Sequence, residues 1–128
     1  MDPAALVRAA AQARAHAYAP YSGYTVGAAA LTRSGAIFTG ANVENASYGL
    51  TVCAERVAIL KAVSEGEPEI TALAVVAEDG ARPCGACRQV LHEFGARARV
   101  YLADPDGAFR ETWAEDLLPD AFGPDALG

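Results

Sequence analysis

The stretch ITALAVVAE, residues 70–78, decides the fold of this chain. It is a nearly continuous apolar run of strand length, which is typical of a β-strand covered on both faces. The flanking segments CAERVAILKAVSEG (53–66) and CGACRQVLHEFG (84–95) have the length and apolar spacing of helices. A helix, a buried strand and a second helix in succession predict a layered α/β domain.

The N-terminal part of the chain contributes one more helix and a hairpin. Asp2-Pro3 is typical of a helix start, and the pattern after it predicts a helix from about Ala4 to Tyr18. The segments YTVGAAALT (24–32) and AIFTGANV (36–43) predict two strands, joined by the short loop Arg33-Ser34-Gly35. The predicted buried side of this helix contains Leu6, Val7 and several alanines.

The C-terminal part adds ARVYLAD (98–104) and AFRETW (108–113) as a final pair of strands, followed by a short helix and a tail. The N-terminal hairpin makes the predicted sheet mixed. We therefore expect a single domain, residues 1–128, folded as a three-layer α/β/α sandwich around a mixed sheet of about five strands. In the helix after residue 52, the predicted buried positions are Val57, Ala58, Leu60 and Ala62.

The charge and composition exclude some classes of partner. The net charge is −6, with 10 Lys and Arg against 16 Asp and Glu, which argues against a nucleic-acid-binding surface. No apolar run approaches the ~20 residues needed to span a membrane. The N-terminal segment lacks the basic and apolar regions of a secretory signal. We expect a cytoplasmic protein that acts on a small neutral or cationic molecule.

The three cysteines, Cys53, Cys84 and Cys87, are the main chemical signal. An odd number cannot close into a full set of disulfides, and in a reducing compartment cysteines are more often metal ligands or catalytic groups. Cys84-Gly-Ala-Cys87 alone is compatible with a redox dithiol, half of a zinc site or two core residues. Cys53, 31 residues earlier, also opens a predicted helix. Two helix N-termini, whose partial positive charge stabilises thiolates, can bring three sulfurs to one point.

Three sulfurs leave one position of a tetrahedral zinc ion open. Structural zinc sites close with four protein ligands, whereas catalytic sites keep the fourth position for water. His16 and His92 have no partner at the usual ligand spacing, so neither is expected to fill it. Glu55, two residues after Cys53, is then interpreted as a proton acceptor beside the metal; the alternative is an ordinary first-turn charge.

Two arginines follow the cysteine motifs. Three thiolates and one Zn²⁺ sum to a charge of −1, which donors outside the ligand sphere can offset. Arg56 is expected to donate to the sulfurs, and Arg88, directly after Cys87, is a second candidate. The alternative for each is a surface salt bridge.

The motifs C-A-E-R (53–56), P-C-G-A-C-R-Q (83–89) and N-V-E-N (42–45) together resemble those of cytidine deaminases of the small, three-cysteine, homotetrameric type. The likeness extends from Y-A-P-Y-S (18–22) to L-L-P-D-A-F (117–122). It implies that Cys53, Cys84 and Cys87 bind one Zn²⁺ and that Glu55 is the proton shuttle. It also implies hydrolytic deamination of cytidine and 2′-deoxycytidine in pyrimidine salvage.

The resemblance further implies how a nucleoside is bound. Asn42 and Glu44 are expected to hydrogen-bond the ribose hydroxyls, and the backbone of Ala54 the pyrimidine carbonyl. Tyr24 lies at a position where the family usually has phenylalanine against the base. The tyrosine keeps the stacking face and adds a hydroxyl that needs a partner.

Homotetramers of this type build each site from neighbouring subunits. The resemblance therefore implies that Phe122, a second aromatic against the base, serves the site of a partner subunit together with Ala46 and Tyr48.

Three other functions share part of this pattern. A blasticidin-type aminonucleoside deaminase shares the cysteine and glutamate pattern, but the carboxylate of Glu44 suits a ribose diol. A structural zinc-binding interaction module needs a closed set of four ligands and has no use for Glu55. A nucleic-acid editing deaminase is disfavoured by the negative charge.

Overall fold

The computed structural model describes residues 1–127, which form one mixed sheet with helices on both faces. Its strands are β1 (Val26–Thr32), β2 (Ile37–Ala41), β3 (Ile70–Ala77), β4 (Arg99–Ala103) and β5 (Phe109–Trp113). Its helices are α1 (Pro3–Arg14), α2 (Ala54–Ser64), α3 (Gly85–Gly95) and α4 (Ala114–Leu117), with 3₁₀ turns at Tyr48–Leu50 and Pro124–Leu127. Within residues 1–127, no helix is long and apolar enough to cross a membrane.

The strand order is β2-β1-β3-β4-β5. β1 is antiparallel to β2 and β3, β3 is parallel to β4, and β5 is antiparallel to β4. The central strand β3 buries both of its faces, as its apolar sequence predicts. Leu73, Val75 and Ala77 pack with α2 and α3, while Ala72, Ala74 and Val76 pack with α1. The predicted three-layer α/β/α sandwich with five strands is confirmed.

The strand directions place two helix starts at one edge of the sheet. β2 and β3 run in the same direction because both are antiparallel to β1. Their carboxyl ends therefore lie at the same edge. After β2 the chain leaves and returns, since Val43 pairs with Val52 across the intervening loop, and α2 then begins. α3 follows β3 after a short turn, so both helices start at this edge.

The first helix is shorter than predicted. It ends at Arg14, whereas the sequence predicted an end near Tyr18. The backbone N–H of Tyr18 donates to the carbonyl of Asn42 at 2.9 Å, and its carbonyl accepts from the N–H of Glu44 at 2.8 Å. This bridge to the segment after β2 requires an extended backbone at Tyr18, which a helix cannot provide.

The buried side of α2 also differs from the prediction. Leu60 is 46% exposed, and Val57 is only partly buried, whereas Ile59 is fully buried. The face that meets the sheet follows the three- and four-residue spacing of a helix, and it consists of Ala54, Ala58, Ile59 and Ala62. The prediction of Ala58 and Ala62 as buried positions is confirmed, and that of Leu60 is wrong.

Gly40 on β2 allows the close approach of α2. A Cβ atom at this position would lie 2.6 Å from the backbone nitrogen of Ala58 and 2.7 Å from the carbonyl oxygen of Ala54. Both contacts are shorter than real Cβ atoms show, and both are with backbone that cannot turn away. Only glycine lets the helix lie this close to the strand.

We predict that Gly40→Ala destabilises the protein by about 1 to 3 kcal/mol, because the added methyl group pushes α2 off the sheet. Urea unfolding followed by circular dichroism measures the change in the free energy of unfolding. Gly49→Ala is the matched control, since a Cβ there meets no atom within 4 Å. Equal stability of the two variants would contradict the tight contact.

Candidate active site

Three sulfur atoms converge at the edge where α2 and α3 begin. Cys53 and Cys84 are the N-cap residues of α2 and α3, and Cys87 lies in the first turn of α3. The Sγ atoms of Cys53 and Cys84 are 3.8 Å apart, those of Cys84 and Cys87 are 3.5 Å apart, and all three lie within 4.8 Å of one another. Among residues 1–127, no histidine or carboxylate joins this cluster.

The sulfur cluster fits a zinc ion. Four tetrahedral ligands at a Zn–S distance of about 2.3 Å lie roughly 3.8 Å apart, close to the separations in this cluster. The three cysteines are not paired in disulfides. Three such ligands leave one coordination position open, as in catalytic zinc sites.

The surroundings of Cys53 favour its thiolate. Hydrogen bonds from the Cys87 thiol and from Arg56, whose Nη2 lies 3.5 Å from the sulfur, lower the pKa of Cys53 to about 5. Cys87 is the proton-donating partner, so the pKa of its own thiol is raised. The predicted contact between Arg56 and the sulfurs is therefore present in the structure.

Glu55 is a buried carboxyl group in the first turn of α2, with 5% of its surface exposed. Burial raises its pKa, and the charge of neighbouring Cys53 acts in the same direction. A carboxyl group whose pKa is raised above its usual value holds a proton more readily, which suits a group that must accept a proton and return it. This buried environment suits a proton shuttle better than it suits an ordinary first-turn charge, which would be exposed to solvent.

One pocket of about 200 Å³ contains most of the predicted chemistry. Cys53, Cys84 and Glu55 line it, and they are joined there by Tyr24, Asn42 and Ala54. Cys87 is buried and does not line the pocket. Binding pockets in open α/β sheets lie outside the carboxyl ends of the strands, and this pocket occupies that position between β2 and β3.

The amide of Asn42 is held between two backbone groups. Its Oδ1 accepts from the N–H of Val26 at 2.9 Å, and its Nδ2 donates to the carbonyl of Tyr24 at 2.8 Å. Each amide atom retains one further hydrogen-bonding position. Asn42 therefore fixes the pocket wall and can still contact a ligand.

Glu44 lies in a groove of about 410 Å³ next to the pocket, and Thr51 lines both. Its carboxylate accepts from the backbone N–H groups of Tyr21 at 2.9 Å and Ser22 at 3.2 Å, and from the Ser22 hydroxyl. Hydrogen bonding from Ser22 holds the pKa of Glu44 below its usual value. Glu44 is an anchored carboxylate beside the pocket.

Besides Glu44, three predicted substrate-binding residues lie outside this pocket. Tyr48 is 75% exposed and lines the groove with Glu44, and Ala46 is exposed on the same loop. Phe122 is 62% exposed, and its carbonyl accepts from the side chain of Gln89 on α3 at 2.8 Å. Within one chain, the structure does not bring Phe122 to the pocket that contains Glu55.

Arg88 does not contact the sulfurs, which corrects the second arginine prediction. Its Nε donates to the carbonyl of Pro83 at 2.8 Å, and its Nη1 donates to the carbonyl of Leu117 at 3.0 Å. These carbonyls draw the guanidinium away from the cluster. Arg88 instead ties the residue before Cys84 to the end of α4.

Asp79, Thr51 and Arg82 also belong to this site, although no motif in the sequence predicts them. Thr51 and Arg82 line the pocket, and Asp79 accepts a hydrogen bond from the hydroxyl of Tyr24 at 2.6 Å. Their positions in the sequence are the feature that could have indicated them. Asp79 and Arg82 follow the carboxyl end of the central strand, where polar residues of α/β proteins commonly contact ligands.

Comparison with known proteins identifies the family of the chain. Residues 2–103 match the family described as the cytidine and deoxycytidylate deaminase zinc-binding region. The chain belongs to this family. It is 51% identical to a cytidine deaminase of Halalkalibacterium halodurans over 95% of each chain.

Solved structures of this deaminase family share the fold. A cytidine deaminase from Burkholderia pseudomallei superposes with a TM-score of 0.92 at 51% identity, over 95% of this chain and 100% of that one. One from Mycobacterium tuberculosis gives a TM-score of 0.84 at 47% identity, over 96% and 98% of the two chains. The chain is therefore an enzyme of a zinc-binding deaminase family.

We predict that Arg56→Gln lowers the affinity for Zn²⁺ by about 10- to 100-fold, because Cys53 loses a charged donor. Competition with a chromophoric zinc chelator measures this affinity. Arg33→Gln removes the same charge from an exposed side chain on the β1–β2 hairpin and should leave the affinity unchanged. If both variants bound zinc as tightly as the original chain, a contribution of Arg56 to zinc affinity would be excluded.

Proposed function

We propose that this chain catalyses the hydrolytic deamination of cytidine and 2′-deoxycytidine to uridine and 2′-deoxyuridine in pyrimidine salvage. The reaction consumes one water and releases one ammonia. The observation that carries the proposal is the convergence of three cysteine sulfurs at a pocket that Cys53 and Cys84 line together with the buried carboxyl group of Glu55. Membership of the deaminase family supports the same reaction.

The three cysteines of each chain would hold one Zn²⁺, and the bound ion would supply a water of lowered pKa at the open coordination position. Glu55 accepts a proton from the attacking water and delivers it to N3 of the cytosine ring while the water oxygen bonds to C4. Glu55 then passes the remaining proton of that hydroxyl to the amine, the C4–N4 bond breaks, and ammonia leaves. The raised pKa of Glu55 suits both transfers.

The remaining pocket residues orient the nucleoside. The base lies in the pocket against Tyr24, and the backbone of Ala54 contacts its carbonyl. The sugar extends toward the groove, where Asn42 and Glu44 hydrogen-bond its hydroxyls. Asn42 is suited to this role because each of its amide atoms has one position free after binding the backbone. A site built around hydroxyls disfavours ligands that lack them.

The enzyme acts as a homotetramer with shared sites. The exposed aromatic side chains of Tyr48 and Phe122 support this, because neither reaches the pocket of its own chain. Together with Ala46 they complete the site of a partner subunit. Residues 1–128 form one catalytic domain. Its three free cysteines, used as metal ligands, suit the reducing cytoplasm.

The direct test is ammonia release from cytidine, 2′-deoxycytidine, cytosine and dCMP, with zinc content measured on the same samples. We expect both nucleosides to be better substrates than free cytosine, which lacks the sugar contacts. Absence of ammonia from every substrate by the zinc-loaded protein would overturn the proposal. Faster turnover of blasticidin S than of cytidine would point to the aminonucleoside alternative.

We predict that Glu55→Gln lowers kcat for cytidine by about 10²- to 10⁴-fold, because the amide cannot carry protons. Zinc content should stay at the original level, since Glu55 is not a ligand. Glu115→Gln, an exposed acidic residue of α4, is the control for the change of charge. Full activity in the Glu55 variant would exclude the shuttle.

We predict that mixing two defective variants restores activity if the sites are shared. Phe122→Ala subunits keep Glu55, and Glu55→Gln subunits keep Phe122, so random assembly recreates about a quarter of the sites. Coexpression, followed by ammonia release and light scattering for the subunit number, makes the measurement. A mixture no more active than the separate variants would show that Phe122 acts only within its own chain.

A further inference from the structure

A hydrogen bond links Tyr24 in the pocket wall to Asp79 in the turn after β3. The hydroxyl of Tyr24 donates to Oδ1 of Asp79 at 2.6 Å, and the two residues are 55 positions apart in sequence. Tyr24 belongs to the segment before β1, whereas Asp79 lies in the turn after β3. The bond therefore joins two segments that both contribute to the pocket wall.

Tyr24 is held at each of its polar groups. Its backbone N–H donates to the Ser22 hydroxyl at 3.0 Å, and its carbonyl accepts from Nδ2 of Asn42 at 2.8 Å. Ser22 is itself bound by the carboxylate of Glu44. The backbone of Tyr24 is thus fixed from both sides, and Asp79 fixes the far end of the ring. A side chain with two rotatable bonds retains little freedom under these restraints.

Asp79 also anchors a turn that has a demanding backbone. Gly80 has φ of +88° and Ala81 has φ of +55°, a conformation that is strained for a residue with a Cβ. Ala81 is buried in the pocket wall, and Arg82 lines the pocket next to it. The hydrogen bond from Tyr24 to Asp79 therefore also restrains the segment that leads to Cys84.

The electrostatics of the pair strengthen the bond. Burial and the hydrogen bond to Asp79 raise the pKa of Tyr24 to about 12. The same hydrogen bond lowers the pKa of Asp79. Around neutral pH the contact joins a neutral hydroxyl to a carboxylate, and such charge-assisted bonds are stronger than neutral ones.

We propose that Asp79 is a positioning residue for the pyrimidine, because it holds the Tyr24 ring in the orientation against which the base stacks. The hydroxyl of Tyr24 is thereby committed to Asp79, so the substrate meets the face of the ring. The inference deepens the proposed function and rests on it. Since the ring contacts the substrate before and during the reaction alike, its alignment affects KM more than kcat.

The test measures kcat and KM for cytidine with zinc-loaded Tyr24→Phe, Asp79→Ala and the double variant. Each single variant should raise KM by about 3- to 10-fold at nearly constant kcat, the effect of losing one hydrogen bond. The double variant should be no worse than either single variant, because both remove the same bond. Independent, multiplicative effects would overturn the proposal, as would an unchanged KM in both single variants.

Conservative variants separate positioning from a general loss of stability. Asp79→Asn retains an acceptor oxygen and should recover most of the lost affinity. Tyr101→Phe removes the same hydroxyl from the far face of the sheet, and Asp106→Ala removes a carboxylate from the β4–β5 turn. Both should keep the original KM. If Asp79→Asn behaved like Asp79→Ala, the hydrogen bond would not be the cause.

A measurement without turnover distinguishes failure of this inference from failure of the proposed function. Carbon-detected NMR titration of Asp79 should show a higher pKa in Tyr24→Phe than in the original chain, because the donor is lost. An unchanged pKa would show that the bond is absent. If the bond is present but no substrate releases ammonia, the proposed function has failed and the role of Asp79 in it fails too.

Discussion

The site depends on the parallel direction of β2 and β3, which puts the starts of α2 and α3 at one edge of the sheet. Because β1 is antiparallel to both strands, their carboxyl ends coincide, and the N-cap residues Cys53 and Cys84 meet within 3.8 Å. Free backbone amides and the helix dipoles then favour thiolates at that point. Gly40 allows α2 to lie against the sheet at the required distance. Opposite strand directions would place the two helix starts at opposite edges of the sheet.

Burial of Glu55 sets the acid–base properties of the site. Glu55 follows Cys53 by two residues, so the same helix start that presents a sulfur also carries the carboxyl group into the pocket. Low solvent exposure raises its pKa, whereas hydrogen bonds lower the pKa of Cys53. The pKa values of these two neighbouring acidic groups are thus shifted in opposite directions. One suits metal binding, and the other suits proton transfer.

Polar residues around the pocket support each other before they contact any ligand. Glu44 binds the backbone at Tyr21 and Ser22, and Asn42 binds the backbone on both sides of residue 25. Such groups hold the segment around Tyr24 in place, and each keeps a hydrogen-bonding position that a ligand can use. Preorganisation of this kind lowers the entropy that binding would otherwise cost.

The sequence by itself determined the layers and the chemistry. The apolar run of β3 predicted a strand buried on both faces, and the spacing of Cys53, Glu55, Cys84 and Cys87 predicted an open metal site, because periodicity and residue chemistry are local properties. Only the tertiary structure decided the end of α1 at Arg14, the exposure of Leu60, the binding of Arg88 to carbonyls and the partnership of Tyr24 with Asp79. Each depends on which distant groups the fold brings within hydrogen-bonding or packing distance, and sequence spacing carries no record of that.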